Sequence, residues 1–82
     1  MSDMNADTLK YLFGRRVQSI RATHGMTQET LAEKAGISPE YVSRIERGNT
    51  SPSFGTISRV AEALQVRVKT LFDFSDLDKG SY

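Results

Sequence analysis

Gly36-Ile37-Ser38-Pro39 breaks an otherwise helical pattern, and no other four residues restrict this chain so tightly. Glycine takes the left-handed backbone that ends a helix at little cost. Serine is a favoured N-cap, and proline at the next position is already set for the first helical turn, where its missing N–H is not needed. One helix must therefore stop at Gly36 and another start at Ser38, with only a tight corner between them.

Similar punctuation divides the rest of the chain. Leu9, Phe13, Val17 and Ile20 make one apolar stripe at helical spacing, which ends at Gly25. Thr27 caps the second helix, with Glu29 in its first turn at the positive end of the helix dipole. Leu31, Ala32 and Ala35 form its inner face. The third helix turns Val42 and Ile45 inward and stops at Gly48, and Asn49 to Ser53 reads as a turn-rich loop. Ser53 caps a fourth helix that carries Ile57, Val60, Ala61 and Leu64 on one side. Val66, Val68, Leu71, Phe72 and Phe74 mark a short fifth helix too apolar to stand free in water. No alternating strand run, internal repeat or low-complexity stretch is present. The spacing predicts an all-α domain of five helices over residues 9–74, between flexible segments at 1–8 and 75–82.

Composition narrows the functional classes. A chain of 82 residues allows one small domain, which buries only about 60% of its unfolded surface. The absence of cysteine excludes disulfides, thiolate metal sites and cysteine nucleophiles. Apolar runs fall far short of the ~20 residues of a membrane span, and no basic-then-apolar leader opens the chain. The expected location is the cytoplasm. His24, the sole histidine, precedes Gly25 at a helix end, where a cation suits the dipole. No second ligand stands at metal spacing, and there is no GxSxG or phosphate-cradling glycine loop. Neither catalysis nor a metal, cofactor or small-molecule ligand is expected. The net charge of +1 makes no bulk case for nucleic acid, but it is unevenly spread. Arg15, Arg16, Arg21, Lys34, Arg44 and Arg47 outnumber Glu29, Glu33, Glu40 and Glu46 in the middle of the chain.

A pair of short helices joined through a glycine corner is a helix-turn-helix unit. Ile37, Val42 and Ile45 seat its second helix on the first, which leaves Pro39, Glu40, Ser43, Arg44 and Arg47 facing outward. A helix fits the major groove of DNA, and its N-terminal residues reach base edges.

The stretch from Leu9 to Phe72 resembles the Cro/lambda-repressor-like helix-turn-helix family, also called the xenobiotic-response-element (XRE) family. The likeness rests on Arg21, Met26-Thr27-Gln28, Leu31-Ala32, Gly36-Ile37-Ser38, the Val42-Ser43-x-Ile45-Glu46-x-Gly48 run, and Ile57, Ala61 and Leu64. It implies a compact lambda-repressor-like fold with helices 2 and 3 as the DNA-binding unit. It also implies roles. Gln28 would anchor to a phosphate, aided by its backbone N–H. Ser38, Pro39, Glu40, Ser43 and Arg44 would face the groove, with Tyr41 and Arg47 flanking them on the phosphates. Asn49 and Thr50 would offer backbone and side-chain donors to the sugar-phosphate chain. Arg21 and Glu46 would form a partly buried ion pair between the first and third helices.

The residues leave some choices open. Arg44 either reads guanine O6/N7 through a bidentate contact or is a solvated helix residue. Glu40 either accepts from cytosine N4 or serves the helix N-terminus. Pro39 offers only apolar contact, and starting the helix accounts for it. Tyr41 belongs to the core or sends its hydroxyl to a phosphate. Arg15 and Arg16 read as surface charges, or else reach the DNA backbone from helix 1. The chain departs from the family pattern at Gly55, in the first turn of helix 4, and at Gln65, where a glycine commonly ends that helix. Gln65 must turn left-handed, or the helix must run on.

The resulting expectation is a transcriptional regulator of duplex DNA, of the restriction–modification controller or phage-repressor type, nucleoid-associated when bound. It would act as a homodimer on a two-fold operator, because one recognition helix reads few base pairs. The dimer interface is expected at Val66, Val68, Leu71, Phe72 and Phe74. The near-zero net charge keeps a rival open: an antitoxin-like module that uses the same fold to bind a protein.

Overall fold

Serine, threonine and asparagine set the starts of the four longer helices. The computed structural model describes residues 4–78, and within them the chain forms α1 (Ala6–Thr23), α2 (Gln28–Ala35), α3 (Pro39–Glu46), α4 (Phe54–Leu64), α5 (Val68–Leu71) and α6 (Ser75–Asp78). Asn5, Thr27, Ser38 and Ser53 each accept a hydrogen bond from the backbone N–H three residues on, at 2.9–3.1 Å. Each bond satisfies one of the donors a helix start leaves unpaired. The Asn5 cap starts α1 at Ala6, three residues ahead of the start read from the Leu9 stripe. At the other end, α6 adds a single turn beyond the five expected helices, within the segment expected to be flexible. Residues 1–3 and 79–82 of the two expected flexible segments lie outside the described residues.

The first three helices end at glycines, and the fourth does not. Gly36 has φ +72° and Gly48 φ +74°. Gln65 takes the same region, with φ 60° and ψ 40°, so α4 ends there instead of running on. Its N–H bonds the Glu62 carbonyl at 3.0 Å, and that of Val66 bonds Ala61 at 3.0 Å, so the closing turn forms without glycine.

The inner faces of the helices meet in one core. Phe13, Val17 and Ile20 from α1 pack with Leu31 and Ala35 from α2, Val42 and Ile45 from α3, and Ile57, Val60 and Leu64 from α4. Leu9, the first residue of the stripe, stays at the rim, 36% exposed. Gly14 lets α1 lie directly on the end of α3: a Cβ there would collide with the Ile45 and Glu46 carbonyls. Gly55, on the exposed side of α4, has ordinary space around it.

Short α5 packs on α1 and α4. Leu71, expected at a subunit interface, is fully enclosed in the monomer's own core. Val66 also packs against that core, while Val68 and Phe72 remain exposed. Arg16, read from the sequence as a surface charge, sends its Nε to the Thr70 carbonyl at 2.9 Å and ties α5 to α1.

Candidate nucleic-acid interface

The corner between α2 and α3 closes with backbone bonds, Gly36 N–H to the Glu33 carbonyl at 3.3 Å and Ile37 N–H to Ala32 at 3.0 Å. Ser38 then caps α3, with Pro39 in its first turn. Val42, Ile45 and Glu46 are buried, which rolls Pro39, Glu40, Arg44 and Arg47 onto the outer surface, all exposed. Among the described residues, Glu40 and Arg44 have no ion-pair or side-chain hydrogen-bond partner. Ser43 and Tyr41 are half-buried, and Tyr41 packs on the core. Arg47 folds back, its Nε donating to the Ser43 carbonyl at 3.3 Å.

Ser38 keeps its cap role: its oxygen accepts from Tyr41 N–H at 3.0 Å, which leaves its hydroxyl proton and one lone pair to offer. Asn49 differs from expectation. Its backbone N–H is engaged by the Arg44 carbonyl at 2.9 Å in the turn that ends α3, which leaves only its exposed side-chain amide. Thr50, beside it, is half-buried.

A buried polar junction lies under this surface. Arg21 Nε donates to Glu46 Oε2 at 2.6 Å and Nη2 to Glu46 Oε1 at 3.0 Å, a bidentate pair from α1 to α3. The Arg21 side chain is 14% exposed and that of Glu46 only 3%. Two fitted forks satisfy each other's donors and acceptors, which burial of charge requires. The hydrogen bond to Glu46 holds the guanidinium's pKa above its ordinary value, against the opposing effect of burial. Arg21 Nη1 also donates to the Met26 carbonyl at 2.8 Å, in the link just before α2. Gln28 joins the group: its Nε2 donates to Glu46 Oε1 at 2.9 Å.

Three features of this scaffold escaped sequence reading: the Gln28–Glu46 bond, the close approach at Gly14, and Arg59, whose Nε donates to the Ala35 carbonyl at 3.2 Å and joins α4 to α2. A glycine in mid-helix was a usable signal, because it costs about 1 kcal/mol in propensity and so points to a close contact. The other two have no local signature.

A family model for the helix-turn-helix matches residues 17–71, which span every buried contact just described between α1, α2, α3 and α4 except those of Phe13 and Gly14. The chain belongs to the helix-turn-helix family. Relatives of this family include an uncharacterized HTH-type transcriptional regulator from Archaeoglobus fulgidus, 38% identical over 74% of this chain and 87% of its own length. The control protein C.BamHI from Bacillus amyloliquefaciens is 36% identical over 87% of this chain and 89% of its own. Among solved structures, the restriction-modification controller protein C.AhdI from Aeromonas hydrophila aligns with a TM-score of 0.76 at 36% identity. That alignment covers 77% of this chain and 96% of the controller. The family's XRE type, inferred above from Arg21, Gln28 and the Val42–Gly48 run, agrees with these relatives.

Proposed function

We propose that this protein is a transcriptional regulator that binds duplex DNA sequence-specifically, with α3 in the major groove, as a control protein of the restriction–modification type. The observation that carries this reading is the outer face of α3. Glu40 and Arg44 are exposed and, among the described residues, unpartnered, on a helix whose other side is fixed by Val42, Ile45 and the Arg21–Glu46 pair. Arg44 reads a guanine edge. Gln28, Tyr41, Arg47 and the side chains of Asn49 and Thr50 hold the phosphates and set register, while Ser38 faces the groove. The similarity to C.BamHI and C.AhdI over nearly their whole lengths supports the controller assignment.

The active form is a homodimer. Phe54 is 90% exposed at the start of α4, beside an apolar groove of about 220 Å³ lined by Leu9, Phe13, Pro52, Ile57 and Phe72. With Val68 and Phe72, it supplies the apolar surface for an isologous contact that sets half-sites about 34 Å apart.

The test is binding to DNA from upstream of the protein's own gene. Arg44→Ala is expected to lose about 1–3 kcal/mol on the cognate site and relax the preference at one base step, with non-specific affinity nearly unchanged. A uniform loss on every sequence makes Arg44 a phosphate anchor instead of a reader.

A further inference from the structure

We infer that Glu46 is a positioning residue for DNA binding, which aims the Gln28 amide at the phosphate backbone. This inference rests on the reading of Gln28 as a phosphate anchor.

A carboxylate and a phosphate are alike in one respect: both only accept hydrogen bonds. A side-chain amide left alone presents either its oxygen or its nitrogen to such a group. Glu46 removes that choice. Its Oε1, 2.9 Å from Gln28 Nε2, takes one of the two amide protons and keeps the amide oxygen turned away. The second proton lies in the amide plane at a fixed angle to the first, and among the described residues it has no partner. Gln28 is half-buried at the first position of α2, where its backbone N–H is also unpaired within the helix. Two donors are thus set side by side at the start of one helix.

The carboxylate that orients them would by itself repel DNA. Arg21 cancels its charge through the bidentate pair, and Glu46 is 97% shielded from solvent by its 3% side-chain exposure. The same guanidinium fixes the Met26 carbonyl just ahead of α2. Recognition helix, phosphate anchor and scaffold helix therefore meet on one carboxylate. A shift of α3 moves Glu46, and the anchor turns with it.

A double-mutant cycle tests this on a duplex recovered by in vitro selection with the parent protein. Gln28→Ala in the parent is expected to weaken binding at least about tenfold, the scale of one hydrogen bond to a charged group. The salt slope stays unchanged, because glutamine releases no counterion. In the Arg21→Met/Glu46→Leu background, the same Gln28→Ala change is expected to weaken binding less than about twofold, within ordinary additivity error. Equal losses in both backgrounds mean that Gln28 anchors alone, and the positioning role falls. No loss in the parent removes the anchor itself, a separate failure. If the double variant does not fold, the parent's Gln28 side-chain amide signals decide. One proton is expected to be shifted by the carboxylate in free protein and to stay so, while only the other moves on adding DNA. Movement of both, or an amide that rotates freely before DNA is added, overturns the proposal.

Discussion

Helices α3 and α5 are both short, but they are held in different ways. α3 has a serine cap, proline in its first turn, two apolar residues beneath it and a buried ion pair at its end. α5 is one turn long with no side-chain cap, and it is fixed mainly by Leu71 and by Arg16 on the Thr70 carbonyl. The outer face of α3 is polar, whereas α5 exposes Val68 and is followed directly by the exposed Phe72. On the proposed function, in which α3 reads the groove and α5 meets a second copy, the difference separates two ways of being ready to bind. A groove-reading helix gains from rigidity, because ordering it at the moment of binding would subtract from affinity. An interface helix is completed by its partner.

The largest effect should come from the ion pair beneath α3. Arg21→Ala strands Glu46 away from water and is expected to cost about 3–5 kcal/mol, a large part of a small domain's stability. Arg21→Met with Glu46→Leu should recover much of it, because no lone charge remains. Thermal melting distinguishes these outcomes. A parent-like Arg21→Ala would mean that Val42 and Ile45 alone hold the helix.

Next in size is a contrast between two positions near α5. Leu71→Ala opens a cavity in the core and should cost about 2–5 kcal/mol. Phe54→Glu, at a site 90% exposed, should leave monomer stability within about 0.5 kcal/mol while abolishing self-association in sedimentation. If Phe54→Glu sediments like the parent, the apolar surface is not the dimer contact.

Ser38→Ala removes the α3 cap and should destabilise by about 0.5–2 kcal/mol, read from a denaturant midpoint. α5 has no equivalent change, since Arg67 makes no cap bond.

The smallest effect lies just past α5. Asp73 accepts from Ser75 Oγ at 2.7 Å and Ser75 N–H at 3.1 Å, and these donors hold its carboxyl below the usual carboxylate range. Because the folded value is depressed, the contribution is complete above the unfolded pKa of about 3.9 and is lost as pH falls through the folded value. An NMR titration of Asp73 checks this. A midpoint at or above the ordinary value would mean that the turn at Ser75 does not form.

Chain-local signals made most of the fold legible. Gly36, Ser38 and Pro39 each act on their own backbone, so the corner they form can be read without knowing what packs on it. Gln65 was open between two outcomes, because only the helix's surroundings decide whether a side chain accepts left-handed backbone. Leu71 and Val68 show where periodicity fails: one turn is too short to separate an inner face from an outer one. At the candidate site, the outward set on α3 followed from the inward set, Val42 and Ile45. The engaged N–H of Asn49 and the bond from Gln28 to Glu46 did not. They depend on how a turn closes and on two side chains 18 residues apart. Arg16 and Arg59 were missed for the same reason, since a guanidinium on a distant carbonyl leaves no pattern in the sequence.

The bare outer face of α3 has a consequence for how such a protein can change over generations. Pro39, Glu40 and Arg44 are exposed, and no ion pair or side-chain hydrogen bond ties Glu40 or Arg44 to the rest of the described chain. A lineage can exchange Glu40 and Arg44 and acquire a new target without first repairing its core. Gln28, Arg21 and Glu46 have no such freedom, because each is bonded to another of the three. Transplanting only positions 40 and 44 from a relative should therefore carry over that relative's base preference, on a scaffold that melts as before.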